Sequence, residues 1–272
     1  MPTRLPPDVH PSLVVMTYNI HHGRGRDGSV HLGRICDVIQ QAAPDLVALQ
    51  EVDRGLSRSA SIDQGQTIAD ALSMCHTAGH NWFLEEGAYG NAFLSRWPVT
   101  VIGNLDLSVT GRERRGCLLT RVHTEHGDLV VGSLHLGLFP GERRLQSERL
   151  LRRVEELCTD DPVILMGDFN TLPSSKIAGG FREAYRDVFQ AVGRGPRATY
   201  RKWGLSLGLD YIYAGDGLLP LDAGVIRTPA AYLASDHFPL LARLQWAPPA
   251  VEQDLPDWAA DETSPDLSVS LR

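Results

Sequence analysis

The chain has 272 residues, of which 43% are hydrophobic and 22% are charged, a composition typical of one large globular domain or two small ones. The net charge is -7, but residues 247–272 hold six acidic side chains against one arginine, so the rest of the chain is nearly neutral. A protein that grips duplex DNA through many phosphates usually shows clustered Lys and Arg, and the sequence shows no obvious cluster. No apolar run approaches the roughly 20 residues that a membrane-spanning helix needs.

The N-terminal part of the sequence predicts alternating strands and helices. Runs rich in β-forming residues predict the strands, and apolar side chains at helical spacing predict the helices. In chain order we predict a strand over 13–19, a polar glycine-rich loop, a helix over 31–42, a strand over 46–49, a polar loop over 53–63 and a helix over 66–74.

The pattern changes after the second helix. Four short strands separated by turns are predicted over 91–95, 99–107, 118–122 and 129–135, and consecutive strands of this kind favour antiparallel hairpins. The clearest helix covers 142–158, with one apolar face and one face of Arg and Glu. Further strands are predicted over 163–168, 209–213, 223–226 and 238–244.

This order of elements predicts an α+β fold in which two packed sheets carry helices on the outside, and it disfavours a doubly wound parallel sheet. We expect a flexible N-terminus over 1–11, a single domain over 12–246, and an acidic, proline-containing disordered tail over 247–272.

The cysteines indicate a reducing compartment. Cys36, Cys75, Cys117 and Cys158 are far apart, form no C-x-x-C pair and fall in apolar-periodic segments, so we predict reduced core residues. Residues 1–11 contain no apolar stretch typical of a secretory signal. We expect a cytoplasmic protein without a transmembrane segment, monomeric and without a stable protein partner.

The stretch 163–170 is the first candidate for chemistry, because an apolar strand ends there in Gly167, Asp168, Phe169 and Asn170. Side chains two positions apart on a strand share a face, so Asp168 and Asn170 are expected in one pocket, with Phe169 in the core. Gly167 would let the backbone approach a bound group closely. A carboxylate beside an amide suits a hard cation, a phosphate oxygen or a held water, although these residues are also common in plain turns.

Other predicted strands end in the same way. Acid, amide or histidine side chains terminate or precede six of them, namely Asn19, Glu51, His135, Asp168, Asp210 and the run from Ser235 to His237. If the strands open at one edge of the fold, these side chains converge on a single site. The chemistry of that site would suit in-line attack on phosphorus, which needs a cation and several hydrogen-bond donors around the phosphoryl oxygens.

The order of these residues resembles the endonuclease/exonuclease/phosphatase superfamily, the deoxyribonuclease I-like metal-dependent phosphohydrolases, and its small bacterial members in particular. The resemblance extends from residue 13 to about residue 244 and depends on seven motifs in the family's order. They are T-Y-N at 17–19, L-Q-E-V at 49–52, Y-G-N-A at 89–92 with L-S-R at 94–96, S-L-H-L at 133–136, G-D-F-N at 167–170, L-D-Y-I at 209–212 and S-D-H at 235–237.

The resemblance implies a four-layer α/β/β/α sandwich, with two central, mostly antiparallel sheets flanked by helices, and hydrolysis of a phosphate ester with Mg²⁺ or Mn²⁺. By resemblance, Glu51 is the principal metal ligand, with Asn19 beside it and Asp236 at the metal end of the site. Asp168 orients or deprotonates the attacking water, and Asn170 holds a phosphoryl oxygen.

By the same resemblance, His237 binds the scissile phosphate while Asp210 fixes its tautomer, and His135 stands where some members have histidine and others tyrosine. We expect Asp210 and His237 at one sheet edge on adjacent antiparallel strands. The Y-G-N-A match makes Asn91 a candidate for substrate binding.

The loop after Asn19 holds the remaining candidates for substrate contact. His21, His22 and Arg24 lie there. Adjacent histidines in a polar loop are more often solvated, so this assignment stays open.

We therefore expect an Mg²⁺- or Mn²⁺-dependent hydrolase that cleaves a phosphate ester, first of all a phosphodiester, by in-line attack of an activated water. A DNA endo- or exonuclease, including the abasic-site type, and a phospholipid or sphingolipid phosphodiesterase are the alternatives. The nearly neutral domain favours a small or lipid-like phosphodiester over duplex DNA. A non-catalytic phosphate-binding module would require the loss of Glu51, Asp168 or His237, and all three are present.

Overall fold

Two mixed β-sheets pack face to face in the computed structural model, which describes residues 11–159, 161–202 and 204–247. The strands are β1 (Ser12–Asn19), β2 (Leu46–Arg54), β3 (Cys75–Leu84), β4 (Gly87–Ser95), β5 (Val99–Asp106), β6 (Gly116–Thr124), β7 (Gly127–His135), β8 (Val163–Asp168), β9 (Arg186–Asp187), β10 (Gly193–Arg194), β11 (Tyr200–Lys202), β12 (Leu205–Leu207), β13 (Asp210–Ala214), β14 (Leu218–Val225) and β15 (Leu240–Trp246). The α-helices are α1 (Leu32–Ala42), α2 (Gln64–Leu72), α3 (Pro140–Leu157), α4 (Lys176–Ala184), α5 (Val188–Val192) and α6 (Pro229–Ala234).

The seven-stranded sheet has the order β10-β14-β15-β1-β2-β4-β3, and the six-stranded sheet has the order β5-β6-β7-β8-β13-β9. Strands β11 and β12 form a separate hairpin. The pairs β1–β2 and β7–β8 are parallel, and the helices α1 and α3 connect their strands. The pair β10–β14 is also parallel, and the other pairs in the described residues are antiparallel.

Three apolar layers hold the sandwich together. The inner layer lies between the sheets and includes Phe93, Met166 and Leu244. One outer layer packs the seven-stranded sheet against α1, α2 and α6, and the other packs the six-stranded sheet against α3 and α4. Burial of both sheet faces explains why β8 is an unbroken apolar run, since its alternate side chains enter different layers. The predicted four-layer α+β sandwich is confirmed.

Phe169 shows how the strand end is fixed. Its ring is fully buried, with centroids of Phe181, Tyr211 and Tyr213 at 5.0–5.2 Å in edge-on contacts. The prediction that Phe169 turns into the core is confirmed. This anchor holds the neighbouring Asp168 and Asn170 at the rim of the sheet.

Several elements differ from the predictions. Strand β3 was missed because it is a partly exposed edge strand that mixes polar and apolar residues. Helix α4 was missed because Gly179 and Gly180 lower its helix propensity, and the short helices α5 and α6 carry too few turns to show a period. Strand β2 continues to Arg54, into the predicted loop over 53–63.

The cysteine prediction is correct only in part. The four cysteines are free thiols, but only Cys117 is fully buried, while Cys36 and Cys158 are half-buried. Cys75 is exposed, because it begins the edge strand β3.

The predicted segments outside the domain remain untested. Apart from Pro11 and Ala247, the predicted N-terminus over 1–11 and tail over 247–272 lie outside the described residues. In the part of the chain that the structure describes, no helix is both long enough and apolar enough to span a bilayer.

Candidate active site

The polar strand ends that the sequence singled out meet at one end of the sandwich. Strand register brings them there: Asn19 of β1 lies beside Gln50 of β2, and His135 of β7 lies beside Asp168 of β8. On its other side, Asp168 is in register with Asp210, the first residue of β13. One edge therefore presents carboxylates, amides and imidazoles together.

Asn19 joins the two sheets at this edge. It is fully buried, and its Nδ2 donates hydrogen bonds to Oε1 of Glu51 at 2.9 Å and to Oδ2 of Asp168 at 3.1 Å. Its Oδ1 accepts a hydrogen bond from the backbone N–H of His21 at 3.0 Å. Asn19 therefore binds two carboxylates with its amide nitrogen, and its oxygen positions the loop that follows.

Glu51 occupies a bulge in β2. The pairing between β2 and β4 shifts between Leu49 and Val52, and Glu51 has a positive φ of 60°. Non-glycine residues rarely adopt this conformation, and they do so mostly where neighbouring structure enforces it. The bulge places a half-buried carboxylate at the opening of the site, next to Asn19.

Asp168 lies at the centre of the cluster. Its Oδ2 is 3.6 Å from Nε2 of His237 and 3.5 Å from Nε2 of His135. Its Oδ1 accepts a hydrogen bond from the backbone N–H of Asn170 at 2.9 Å. Burial, together with the nearby charge of Asp210, raises the pKa of Asp168 to about 7. This carboxyl can therefore take up or release a proton near neutral pH.

His237 is held by two contacts. Its Nδ1 is 2.9 Å from Oδ2 of Asp210, and its backbone N–H donates to Oγ of Ser235 at 3.2 Å. The same Ser235 hydroxyl donates to the backbone carbonyl of Asn19 at 2.9 Å, which fixes the turn against β1. Burial acts to lower the pKa of His237, but the carboxylates of Asp210 and Asp168 outweigh it and raise that pKa to about 10. The imidazole is therefore a cation at neutral pH.

The expected strand arrangement behind this pair is wrong. Asp210 opens β13 in the six-stranded sheet, whereas His237 precedes β15 in the seven-stranded sheet. The two residues meet because the sheets pack face to face, and not because their strands are adjacent. The Oδ1 atom of Asp210 is buried without a hydrogen-bond partner among the described residues.

Asn170 reaches the site through a turn rather than along the strand. Strand β8 ends at Asp168, and Asn170 has a positive φ of 48°. Its Nδ2 donates to the backbone carbonyl of Leu136 at 2.9 Å and lies 3.1 Å from Nε2 of His135. The pKa of His135 lies well below its ordinary value because of burial and the charges of Arg115 and His237, so this imidazole is neutral.

Asp236 lies between basic groups at the side of the site. Its Oδ2 accepts a hydrogen bond from Nζ of Lys202 at 3.0 Å, and its Oδ1 is 3.8 Å from Nδ1 of His21. Burial acts to raise its pKa, but His237, His21 and Lys202 lower it below the ordinary value. Sequence reasoning missed Lys202, because the short strand β11 carries no recognisable motif.

Asn91 has a structural contact that sequence reasoning did not foresee. Its Nδ2 donates to the backbone carbonyls of Gly116 at 3.0 Å and Ser133 at 3.3 Å, which ties β4 to the opposite sheet. Its Oδ1 is buried and has no partner among the described residues. A role in substrate binding stays a prediction.

His21 and His22 form a 3₁₀ turn directly after β1. Both have a positive φ, of 48° and 44°, and their rings are in edge-on contact with centroids 4.7 Å apart. One ligand atom from each imidazole and one carboxylate oxygen of Glu51 all lie within 4.8 Å of one another. Burial lowers the pKa of His22 to about 4, with further lowering from His21 and Arg58.

A cavity of about 480 Å³ opens beside these residues. The exposed Arg24 lines it together with Arg26 and Lys202, and Tyr232 and Asp236 complete its wall. The guanidinium of Arg26 stacks over the ring of Tyr232 at 4.6 Å. The charged wall suits an anionic group, since three cationic side chains face one carboxylate.

The donor set fits a divalent cation. Glu51, Asp168 and Asp236 bring three carboxyl groups to one region, and carboxylate oxygens are ligands that a hard divalent cation favours. Glu51 is half-buried and faces the opening, so it is the carboxylate best placed to hold an ion. The Nδ2 atom of Asn19 faces Glu51, and its Oδ1 accepts from His21. The amide group would therefore have to rotate before Oδ1 could bind the ion.

The sequence and the fold are similar to those of known proteins. The sequence model of the Endonuclease/Exonuclease/phosphatase family matches residues 16–237. Over 248 residues the chain is 31% identical to the uncharacterized protein YbhP of Escherichia coli (strain K12), which covers 86% of this chain and 96% of that protein.

Two solved structures extend the comparison. An endonuclease/exonuclease/phosphatase from Beutenbergia cavernae DSM 12333 superposes with a TM-score of 0.70 and 25% identity, over 87% of this chain and 72% of that chain. The mannosyl-6-phosphatase Bt3783 of Bacteroides thetaiotaomicron VPI-5482 superposes with a TM-score of 0.67 and 18% identity, over 86% of this chain and all 100% of that chain. At this low identity, the second match shows the shared fold alone.

Proposed function

The chain belongs to the endonuclease/exonuclease/phosphatase family, and from this membership we propose that it is an Mg²⁺- or Mn²⁺-dependent hydrolase that cleaves a phosphodiester by in-line attack of water. Family membership supports phosphoester hydrolysis in general. The observation that carries the finer proposal is the position of Asp168. This carboxyl, with a pKa of about 7, lies 3.6 Å from the cationic His237 and shares Asn19 with Glu51.

In the proposed reaction, Asp168 accepts a proton from the attacking water. A general base works best when its pKa is near the operating pH, and burial beside Asp210 gives Asp168 such a pKa. His237 donates from Nε2 to the phosphoryl oxygens as charge builds there, while Asp210 holds Nδ1. The backbone turn at Asn170 fixes the Asp168 carboxyl through its Oδ1.

Glu51, Asn19 and Asp236 are the residues proposed to hold the cation. A bound Mg²⁺ or Mn²⁺ would withdraw charge from the phosphoryl oxygens during the reaction. The hydrogen bond from Nζ of Lys202, at 3.0 Å, keeps the carboxylate of Asp236 in place. We further propose Asn91, His22 and Arg24 as substrate-side residues, of which Arg24 lines the cavity.

The cavity supports a diester as the substrate class. A phosphodiester carries a second alcohol beyond the scissile bond, and the cavity of about 480 Å³ beside His21 and Asp236 offers room for it. Its three basic side chains favour an alcohol that bears negative charge.

A phospholipid phosphodiesterase is the second candidate, and exposed apolar residues favour it. Leu138 and Phe139 follow His135 and are 62% and 50% exposed, and Leu172 follows Asn170 and is 46% exposed. Apolar side chains on loops next to a catalytic site suit contact with a lipid surface.

An activity screen tests the proposed function. The purified full chain is assayed with Mg²⁺ or Mn²⁺ against bis(p-nitrophenyl) phosphate, p-nitrophenyl phosphate, nicked DNA, abasic DNA and phospholipid vesicles. We expect the diester to be hydrolysed faster than the monoester, with loss of activity in EDTA and in His237→Ala. Exclusive monoester hydrolysis would overturn the diester assignment, and phosphate binding without any turnover would favour the non-catalytic module.

A further inference from the structure

We propose that His21 and His22 are ligands of the same divalent cation that Glu51 holds. The inference rests on the proposed function only in placing a cation at Glu51. In this arrangement His22 binds the cation and not the substrate. The site then suits Zn²⁺, Co²⁺ or Ni²⁺ better than the Mg²⁺ proposed above, because two imidazoles and one carboxylate form the ligand set and Mg²⁺ favours oxygen ligands.

The three side chains lie close enough together to bind one ion. One ligand atom from each of His21, His22 and Glu51 lies within 4.8 Å of the other two. All three residues are half-buried, so their polar atoms remain open to an ion that enters from solvent. A shared ion would need only a modest contraction of this group, since metal–ligand distances are about 2.0–2.2 Å for such atoms.

The three residues share an unusual backbone conformation. His21, His22 and Glu51 have φ values of 48°, 44° and 60°, a conformation that non-glycine residues seldom adopt. They come from two separate segments of the chain, yet one ligand atom from each lies within 4.8 Å of the other two. Such strain persists where the surrounding structure enforces it, and it concentrates at functional sites.

The loop that carries the two histidines is held on both sides. The backbone carbonyl of His22 accepts a hydrogen bond from Nε2 of Gln64 at 2.8 Å, and Oε1 of the same Gln64 accepts from the backbone N–H of Asp53 at 3.0 Å. The backbone N–H of His21 donates to Oδ1 of Asn19 at 3.0 Å. The backbone that carries the two imidazoles is therefore held in place before any ion arrives, which favours an efficient metal site.

The hydrogen bond of the His21 ring leaves one ring nitrogen free for an ion. Its Nδ1 lies 3.2 Å from the backbone carbonyl of Arg24, and a hydrogen bond to a carbonyl requires the proton on Nδ1. Nε2 then carries the lone pair that can bind an ion. Histidine ligands commonly donate their second ring nitrogen to a carbonyl in this way.

Calorimetric titration of the purified full chain with Co²⁺ and with Mg²⁺ tests the proposal without an activity assay. The variants are His21→Asn and His22→Asn, because Asn tolerates positive φ and keeps the backbone conformation accessible. His123→Asn is the matched control, since His123 lies at the opposite end of the β6–β7 hairpin from His135. Glu51→Gln is the control that should weaken binding of both ions.

We expect each site variant to weaken Co²⁺ binding by on the order of tenfold or more, and Mg²⁺ binding much less. The control His123→Asn should bind both ions as the unsubstituted chain does. Unchanged Co²⁺ affinity in the folded variant that carries both His21→Asn and His22→Asn would overturn the proposal and leave the catalytic assignment intact. If no substrate in the activity screen is hydrolysed while Co²⁺ binding still depends on both histidines, only the proposed function is overturned.

A second measurement keeps the test independent of whether the variants fold. Co²⁺ is paramagnetic, so exchangeable imidazole N–H protons of bound histidines shift far outside the ordinary proton range. The unsubstituted chain loaded with Co²⁺ should show two such signals. Their absence would overturn the proposal.

Discussion

His237 and Asp210 form a hydrogen bond of 2.9 Å that joins the two sheets of the sandwich, from Nδ1 of the ring to Oδ2 of the carboxylate. Both side chains are buried, and each comes from a different sheet. The contact orients the ring so that Nδ1 donates to Asp210. The other nitrogen, Nε2, then lies in the site, 3.6 Å from Oδ2 of Asp168. A pair arranged in this way can donate a hydrogen bond to a phosphoryl oxygen without reorganising.

The first prediction concerns this pair. We expect His237→Ala and Asp210→Asn each to lower kcat by about 10²-fold or more, the scale of one preorganised transition-state donor. Asp210→Asn keeps a hydrogen-bonding group but loses the charge that stabilises the imidazolium. Because the residues act as a unit, the losses in the double variant should be far from additive.

Measurement of kcat and melting temperature for both single variants and the double variant checks this prediction. If the two residues only stabilise the turn, melting temperatures fall while turnover per folded molecule stays intact. Near-normal kcat in folded His237→Ala would therefore remove the histidine from the reaction.

The sequence predicted the members of the site better than their surroundings. The site residues could be found because each lies at the start, at the end or just beyond the end of a strand predicted from the sequence, namely Asn19, Glu51, His135, Asp168 and Asp210. Strand register aligns these side chains within each sheet, which is a property of local sequence and of pairing, and the packing of the two sheets then brings the two groups together. The sheet to which each strand belongs depends on packing between distant segments, and for that reason the arrangement of Asp210 and His237 was predicted wrongly.

The hydrogen-bond partners of individual side chains could not be predicted from the sequence either. The Y-G-N-A motif placed Asn91 near the substrate, but the amide nitrogen of Asn91 is bonded to carbonyls of β6 and β7. Lys202 could not be found, because its contact with Asp236 joins residues 34 positions apart, through the β11–β12 hairpin. Strain at Glu51 also depends on a bulge that strand patterning does not reveal.

The second prediction concerns Gly167, which the backbone of the neighbouring strand β7 approaches closely. A Cβ atom on Gly167 would lie 1.9 Å from the backbone oxygen of Leu134 in β7. Backbone in a parallel pair cannot yield easily, so we expect Gly167→Ala to lower the free energy of unfolding by about 1–3 kcal/mol. Chemical denaturation measures the change.

Gly179→Ala is the matched control for this substitution. Gly179 lies inside α4, and a Cβ there would meet no atom within 4 Å. Since alanine is the better helix former, this change should raise the free energy of unfolding by about 0.5–1 kcal/mol. Equal effects of the two substitutions would contradict the steric argument at Gly167.

The third prediction concerns residues 248–272, which lie outside the described part of the chain. They carry six acidic side chains and lack apolar periodicity, so we expect them to be dispensable. A chain that ends after Ala247 retains the hydrogen bond from the backbone N–H of Ala247 to the carbonyl of Gly217, at 2.8 Å. Its melting temperature and kcat should match those of the full chain, and a large drop in either would show that the removed residues contact the domain.

The fourth prediction concerns the dependence of stability on pH. Burial and the charge of Asp210 raise the pKa of Asp168 from 3.8 to about 7, so the folded protein holds this proton more tightly than the unfolded chain does. The carboxyl therefore contributes stability that is fully present below pH 3.8 and is lost as the pH rises through about 7. At pH 8, without a cation, the folded protein must keep a buried, ionised carboxylate beside Asp210.

Asp168→Asn removes the unfavourable free energy of the buried, ionised carboxylate, because the amide is neutral at every pH and has nearly the same shape. In EDTA at pH 8 we expect the variant to be more stable than the unsubstituted chain by on the order of 1–3 kcal/mol, and we expect the difference to shrink as the pH falls to 5.5.

The kcat of Asp168→Asn with Mg²⁺ should fall by about 10²- to 10⁴-fold, the usual contribution of a general base. Thermal melts across this pH range check the stability, and Asp37→Asn, which changes an exposed carboxyl on α1, is the control. A difference that stays constant with pH would show that Asp168 does not titrate there, and retained turnover would exclude it as the base.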